Sequence, residues 1–544
     1  MSARQVARGV AGAAVMIAVL TVLARLAGFG RTLVFTNTVG ADSTGDIYLA
    51  ANTVPNIVFE VVAGGALASL VVPMLAGGIA TGDREQVRRT ASALLGWTLL
   101  ILTPLAVVIA LAAEPIARLL LGGGGSAQVD LAARFLVVFA PQVVLYGIGI
   151  VLAGVLQAHR RFAGPAVAPL LSSLVVAAAY LVFAAIGGSG DIETLATPAE
   201  LVLAVGTTLG VVVLSLCLLV PARRLRLHLR PSLRFPVGAA PRVRRLAVAG
   251  VLTLAGQQLV AAVAIRLAND GPDGTQVVYF AGLTLFLVPW AALAVPLATS
   301  AYPGLAERAE VGDEAGYRRS LAPAAVLTVA PAAVAAGVLV AVSGPMARVF
   351  LASAPPETVV ALRDTIIAFA PGLVGYALVA LLTRALYARG LWKAPTVCVL
   401  GGWLLAVAAD VVLARQLPVE HRGLALGAGH SIGVTVAGLG LLVVVARVAG
   451  PGALHGVVRT GAAALAGGAL GAAAGLLGAR ALGADPVPDS GVLGAVAVGV
   501  AAAAIVLVIA GAVMMGMARA PLTRAVQALR TPDEERAATT GGAR

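Results

Sequence analysis

Residues 25–75 read RLAGFGRTLVFTNTVGADSTGDIYLAANTVPNIVFEVVAGGALASLVVPML, and the reading of this stretch decides the reading of the chain. It is apolar over long runs, yet Arg25, Arg31, Asp46, Asn56 and Glu60 lie within or beside those runs. The surrounding chain is 60% hydrophobic and 12% charged over 544 residues, with a mean hydropathy of +0.97. Soluble domains carry about 25% charged residues. Apolar segments recur along the whole length, many reaching the ~20 residues that take a helix across a bilayer. They lack the alternation of the ~10-residue strands of a membrane β-barrel. The composition therefore predicts an all-α integral membrane protein. A charge at mid-bilayer costs several kcal/mol (roughly 2.5–3.5 on insertion scales) unless it faces a cavity or a partner. Residues 25–75 are accordingly predicted to wall a functional cavity.

Working outward, about fourteen apolar segments are expected, near 10–37, 44–74, 91–112, 129–157, 165–187, 199–221, 246–268, 276–304, 322–344, 360–388, 395–416, 424–449, 459–482 and 491–518. With the N-terminus in the cytoplasm, 27 of the 38 Lys and Arg residues fall on that side and five on the other. That asymmetry predicts two cytoplasmic termini, and it absorbs the net charge of +13 without a nucleic-acid partner. Residues 221–245 carry eight arginines and no acid. They read as a linker obeying the same rule, or as a grip on anionic headgroups of the inner leaflet. The N-terminal apolar run outlasts the about 7–15-residue core of a signal peptide and is read as a retained helix. Cys217 and Cys398 lie in apolar runs, and the five histidines are read as scattered in or near loops. Neither set forms a disulfide framework or a metal site.

The chain also repeats itself. At an offset of 230 residues, Phe139-Ala140-Pro141 matches Phe369-Ala370-Pro371, Tyr146 matches Tyr376, Pro165 matches Pro395, and Arg88-Arg89 matches Arg318-Arg319. Each repeat holds six helices, an even number, so the repeats are parallel, related by an axis along the membrane normal, and enclose a central cleft. The expected organisation is a six-helix lobe at 1–222, a basic cytoplasmic linker at 223–245 and a second six-helix lobe at 246–450. Helices 13 and 14 follow at 451–518, then a disordered cytoplasmic tail at 519–544. Gly467, Gly471 and Gly475 have the spacing that lets two membrane helices approach closely.

Arg25-x-x-Gly28-x-x-Arg31, Gly40-Ala41, Asp46, Pro55-Asn56, Gly65-Ala66 and Pro73 together resemble the opening signature of the MurJ/MviN lipid II flippases. That family lies within the multidrug/oligosaccharidyl-lipid/polysaccharide exporter superfamily, and the resemblance extends over residues 10–450. It implies a bacterial inner-membrane protein of peptidoglycan synthesis that moves a polyprenyl-pyrophosphate-linked sugar, lipid II, from the inner to the outer leaflet by alternating access. Partners implied are the lipid-linked oligosaccharide, membrane lipids and the cell-wall synthesis machinery. The chain departs from the family's charged pattern at Thr32, Phe59, Gly64, Thr284 and Leu287. The basic site is therefore expected on one side of the cleft, resting on Arg25 and Arg31.

The substrate-binding candidates are Arg25, Arg31, Asp46, Asn56, Glu60, Gln257 and Thr284. Guanidinium groups suit pyrophosphate because they bind phosphate oxygens bidentately. Arg25, near mid-bilayer, reads as anion recognition or as a structural pair with an acid. Arg31 lies six positions on, about 240° around an ideal helix; a bend or unwinding at Gly28 and Gly30 would bring both to one cavity. Arg31 can alternatively snorkel. Asp46 pairs with Arg31 or caps its own helix. Asn56, after the expected kink at Pro55, bonds freed carbonyls or substrate. Glu60 pairs with Arg25 or serves a coupling ion. Gln257 and Thr284 contact substrate or neighbouring helices. Arg134, Arg266 and Arg363 read as snorkelling, and Asp410 as a candidate for a proton or ion. No enzyme motif is present: Gly122–Gly125 lacks the Lys-Ser/Thr of a phosphate loop. No cofactor is expected, so an ion gradient or the membrane potential would drive transport. The competing readings are an exporter of another polysaccharide-lipid, a drug antiporter, and a non-transporting envelope-assembly scaffold.

Overall fold

Long apolar runs in hydrocarbon find no water for their N–H and C=O groups, so they close those groups on themselves as helices. The computed structural model describes residues 3–61, 71, 74–75, 78–79, 81–122, 125–188, 190–234, 254, 256–483 and 491–530, and no strand occurs among them. In chain order the first helices are α1 Ala3–Thr38, α2 Ser43–Phe59, α3 Arg84–Leu111, α4 Ala113–Leu121, α5 Ser126–Ala158, α6 Ala163–Ala185, α7 Thr197–Leu216, α8 Leu219–Arg223 and α9 Gly256–Ala268. There follow α10 Thr275–Pro289, α11 Val295–Glu310, α12 Glu314–Ala341, α13 Ser343–Phe350, α14 Pro356–Phe369, α15 Gly372–Ala388, α16 Lys393–Gln416 and α17 Arg422–Ala449. The last are α18 Val457–Ala481, α19 Val492–Met517 and α20 Arg519–Arg530. Gly64, Gly65-Ala66, Pro73, linker residues 235–245 and residues 531–544 lie outside the described residues.

Among the described residues, ten helices are long and apolar enough to cross a membrane, or eleven when α14 and α15 count as one span bent by 44°. The expected segments without a counterpart in that count are 10–37, 44–74 and 246–268. The last two run into residues outside the described set, and α1 is a continuous helix from Ala3 to Thr38. The chain is a multi-span all-α membrane protein.

The repeat recurs in the helix boundaries. Helices α3 and α12 start at 84 and 314, and α4 and α13 at 113 and 343, in both cases 230 residues apart. Their N-caps repeat as well: Asp83 accepts from the Gln86 N–H at 2.8 Å, and Asp313 from the Gly316 N–H at 2.8 Å. A π turn follows α2 at Glu60–Val61, and another follows α10 at Trp290–Ala294. The shared Phe-Ala-Pro has two outcomes: α5 runs through Pro141, whereas α14 and α15 break at Ala370-Pro371.

The chain divides into two compact units, Met1–Val277 and Val278–Arg544. In the first, Tyr48 is fully buried and bonds Tyr180 Oη at 2.8 Å and Thr207 Oγ1 at 2.7 Å, with Phe35, Phe135 and Phe139 around its ring. Helix α9 belongs to this unit, where Asn269 donates to the Leu120 carbonyl at 2.9 Å. In the second unit, the glycine stripe of α18 lies on α19. A Cβ on Gly467 would meet Ala510, one on Gly471 would meet Val506, and one on Gly475 would meet Ala502.

One expectation is corrected at the C-terminus. Arg519–Arg530, read as part of a disordered tail, is a helix, because Leu522 packs against the Ala330, Ala333 and Ala464 cluster and Ala525 is buried. The arginines expected to snorkel alone are also ion-paired: Arg134 with Glu200 at 2.7 Å, Arg266 with Asp270 at 2.5 Å, and Arg363 with Asp364 at 2.7 Å.

Candidate functional site

Helix α1 passes through Gly28 and Gly30 without a break. The expected unwinding is absent because each interrupted backbone bond would leave polar groups bare in an apolar setting. Nothing crowds either glycine. The two arginines therefore diverge as a straight helix dictates. Arg25 is exposed, and Arg31 is half-buried, within electrostatic reach of Tyr48, Tyr146 and Tyr180. The structure does not bring Arg25 and Arg31 to one point.

Arg31 meets other predicted residues instead. Helix α2 continues through buried Pro55 and gives way to a π turn at Glu60–Val61, where Glu60 is exposed. Tyr146 of α5 donates to Asn56 Oδ1 at 3.0 Å, and its ring lies 4.5 Å from that of Phe59. The charges of Arg31 and Glu60 both act on Tyr146. Tyr146, which sequence reasoning used only to mark the repeat, thus bonds Asn56 and lies within electrostatic range of Arg31 and Glu60. Among the described residues, Asn56 bonds neither a freed carbonyl nor Glu60. Among the described residues, no salt bridge joins Glu60 to Arg25, or either arginine to an acid. The region brings together one half-buried cation, one exposed carboxylate and two neutral hydrogen-bonding groups.

Asp46 is corrected. It neither pairs with Arg31 nor caps its own helix. It is 6% exposed, and its two oxygens accept from the backbone N–H groups of Gly274 at 2.8 Å and Val277 at 2.9 Å. A carboxylate at that helix N-terminus satisfies donors that lack intrahelical partners. Asp46 is a structural latch within the first unit, buried and hydrogen-bonded to backbone. Gln257 is half-buried on α9 of the first unit. Thr284 donates to the Phe280 carbonyl of its own helix at 2.8 Å.

The second unit places aromatic rings where the first has polar groups. At the repeat offset, Asn56 corresponds to Phe286, Glu60 to Trp290 and Tyr146 to Tyr376. Trp290 stacks on Tyr376 at 4.6 Å, and Phe286 lies 5.8 Å from it. The same unit buries two further polar side chains. Asp410 is 1% exposed with neither oxygen hydrogen-bonded among the described residues. His430, read from sequence as lying near a loop, is buried inside α17 with both ring nitrogens likewise unbonded. Phe286, Phe369 and Trp403 surround its ring at 5.3–5.5 Å. Gly429 gives Asp410 its room, since a Cβ there would overlap the carboxylate. The apolar neighbours on both sides of His430 in the sequence were the signal for this burial.

A family model described as "Lipid II flippase MurJ" matches residues 35–483. The chain belongs to the MurJ family. A probable lipid II flippase MurJ of Rhizobium tropici is 26% identical over 177 residues, 32% of this chain and 33% of the relative. That of Haemophilus influenzae is 35% identical over 92 residues, 16% of this chain and 18% of the relative. These alignments span a third or less of the curated MurJ relatives. Among solved structures, a lipid II flippase MurJ in an inward closed conformation has a TM-score of 0.72 at 16% identity, covering 92% of this chain and 99% of that one. An inward-facing MATE multidrug transporter of the MOP superfamily has a TM-score of 0.65 at 15% identity, covering 78% of this chain and 94% of that one. At these identities the structural likeness establishes a MurJ/MATE-like fold.

Proposed function

We propose that this MurJ-family chain is a lipid II flippase, a transporter and not an enzyme. It carries a polyprenyl-pyrophosphate-linked sugar from the inner to the outer leaflet of a bacterial cytoplasmic membrane by alternating access. The proposed topology has fourteen spans with both termini cytoplasmic, supported by the basic-residue asymmetry. The observation that carries the reading is the cluster of Arg31, Glu60, Asn56 and Tyr146, a cation set among hydrogen-bonding groups inside a membrane-spanning unit of this family. Arg31 binds the pyrophosphate bidentately, Asn56 and Tyr146 address the sugar, and the polyprenyl tail stays in lipid. Arg25 meets the headgroup only at the exposed flank of α1. Gln257 contributes from α9.

The membrane potential or an ion gradient supplies the energy. One elementary charge crossing 100 mV is worth about 2.3 kcal/mol, which favours outward movement of an anionic headgroup from a negative interior. Asp410 is the buried carboxylate available to a coupling ion or proton. The aromatic replacement at Phe286 and Trp290 favours a second reading, an exporter of another lipid-linked saccharide or a drug antiporter.

The test is complementation. In cells depleted of their own lipid II flippase, this chain is expected to restore lipid II labelling at the outer surface. Membrane-inserted protein that leaves labelling at the depleted level sinks the reading.

A further inference from the structure

The first unit holds a second concentration of cations, apart from the cluster around Arg31. A cleft of about 350 Å³ is lined by Arg84, Arg161, Arg224 and His159 over an apolar floor that includes Leu225 and Leu227. Among the described residues, no carboxylate lines it. Asp83 is occupied in capping α3, and Glu85 holds Arg88 and Arg89 at 2.5 and 2.7 Å. Arg84 donates to the Leu225 carbonyl at 2.9 Å, and Arg161 and Arg224 form no ion pair among the described residues. His159 Nδ1 bonds the Val155 carbonyl at 2.8 Å, which leaves Nε2 as the available ring nitrogen.

One wall of the cleft is the start of the basic linker, and it is an ordered strap. Residues 224–230 read RLRLHLR. Leu225 and Leu227 are 9% and 6% exposed and enter the core with Val87 and Leu94, while Arg224, Arg226, His228 and Arg230 face outward. The strap is tied along α3. The Arg230 N–H donates to Ser92 Oγ at 3.2 Å, the Ser232 N–H to the Ser92 carbonyl at 3.0 Å, and Trp97 Nε1 to the Leu233 carbonyl at 3.0 Å. Gly96 permits the approach, since a Cβ there would overlap the Ser232 backbone.

Among the described residues, the non-glycine positions with positive φ are Arg160 at 57°, Arg226 at 53° and His228 at 47°. All three lie on the two segments that wall the cleft. The left-handed conformation is strained for a side chain with a Cβ, and it persists where the surroundings over-determine it, commonly at binding sites. A plain linker needs neither this strain nor these ties.

We propose that the cleft binds the phosphate headgroup of an anionic phospholipid of the inner leaflet. The leaflet assignment rests on the orientation proposed above. Three guanidiniums without a facing acid suit a phosphate. The lipid source, as against free phosphate, is favoured by Leu100 and Ile101, which are 47% and 58% exposed farther along α3 and can meet acyl chains.

The test uses the full chain in detergent, titrated with phosphatidylglycerol, with phosphatidylcholine or with inorganic phosphate, reading the thermal unfolding midpoint. Phosphatidylglycerol is expected to raise the midpoint and the other two to leave it in place. The double variant Arg161→Gln/Arg224→Gln is expected to need about 25-fold more phosphatidylglycerol, at about fivefold per arginine. Arg118→Ala, at an arginine paired with Glu114, should titrate as the wild type does. If the double variant does not fold, the single Arg161→Gln is read for its fivefold share. An equal response to phosphatidylcholine, reproduction of the shift by inorganic phosphate, or an unchanged titration of the arginine variants overturns the proposal. Loss of lipid II translocation with the phosphatidylglycerol shift intact would sink the flippase reading and leave this one standing.

Discussion

Arg25 and Arg31 lie six residues apart on one uninterrupted helix, and only Arg31 reaches the tyrosine cluster. A hydrogen bond to a charged group contributes about 1.5–3 kcal/mol. Arg31→Ala is therefore expected to slow lipid II translocation by about 10- to 100-fold, and Arg25→Ala by much less, in a proteoliposome assay. Asp46→Ala should act on stability instead. It leaves the buried N–H groups of Gly274 and Val277 without acceptors, at about 1–3 kcal/mol each, and a lowered unfolding midpoint in detergent checks this. Asp42, in the loop before α2, has its carboxyl pushed up by burial and by the charges of Asp273 and Asp191. The folded state thus holds that proton more tightly than the unfolded chain does. The stability from this carboxyl is present below the ordinary carboxylate range and is lost as pH rises through the raised folded value. Asp42→Asn is expected to raise the unfolding midpoint at neutral pH and to change it little at about pH 3, below the ordinary aspartate value. The charged residues were legible in the sequence because charge is scarce there. Their partners were not: Asp46 and Gly274 are 228 positions apart, and Asn56 and Tyr146 are 90 apart, separations that no local pattern connects.

The helices were legible because apolar length and the repeat are local or self-referential signals. The caps at Asp83 and Asp313 and the starts of α3 and α12 follow the offset found by self-comparison. The different outcomes of Phe139-Ala140-Pro141 and Phe369-Ala370-Pro371 were not legible, since identical tripeptides yield a continuous helix and a 44° bend. Neighbouring helices decide which occurs. The helix at Arg519–Arg530 was likewise hidden, because its short apolar face gains stability only from tertiary packing, against α12 and α18. The glycine stripe of α18 carries a direct expectation. A Cβ on Gly471 would lie 3.0 Å from Val506 Cα, in backbone that cannot yield cheaply. Gly471→Leu should destabilise the α18–α19 pair by about 1–3 kcal/mol or more, read as a lower unfolding midpoint and greater protease sensitivity of the C-terminal helices.

Across the whole chain, the two repeats keep one backbone plan and differ in chemistry. The first unit holds Arg31, Glu60, Asn56 and Tyr146, and the second keeps the tyrosine as Tyr376 but replaces Asn56 and Glu60 with Phe286 and Trp290 while burying Asp410 and His430. The proposed headgroup recognition thereby falls in the first repeat and the proposed energy coupling in the second. Asp410→Asn, nearly isosteric, is expected to fold as well as the wild type but to lose any dependence of translocation on an imposed ion gradient, measured in proteoliposomes. The central claim is that Arg31 carries the substrate's pyrophosphate. The most direct measurement is lipid II translocation by wild type, Arg31→Lys and Arg31→Ala at equal membrane abundance. The account predicts a graded loss, partial for lysine, which keeps the charge but not the bidentate fork, and about 10- to 100-fold for alanine. Wild-type translocation by the alanine variant would contradict it.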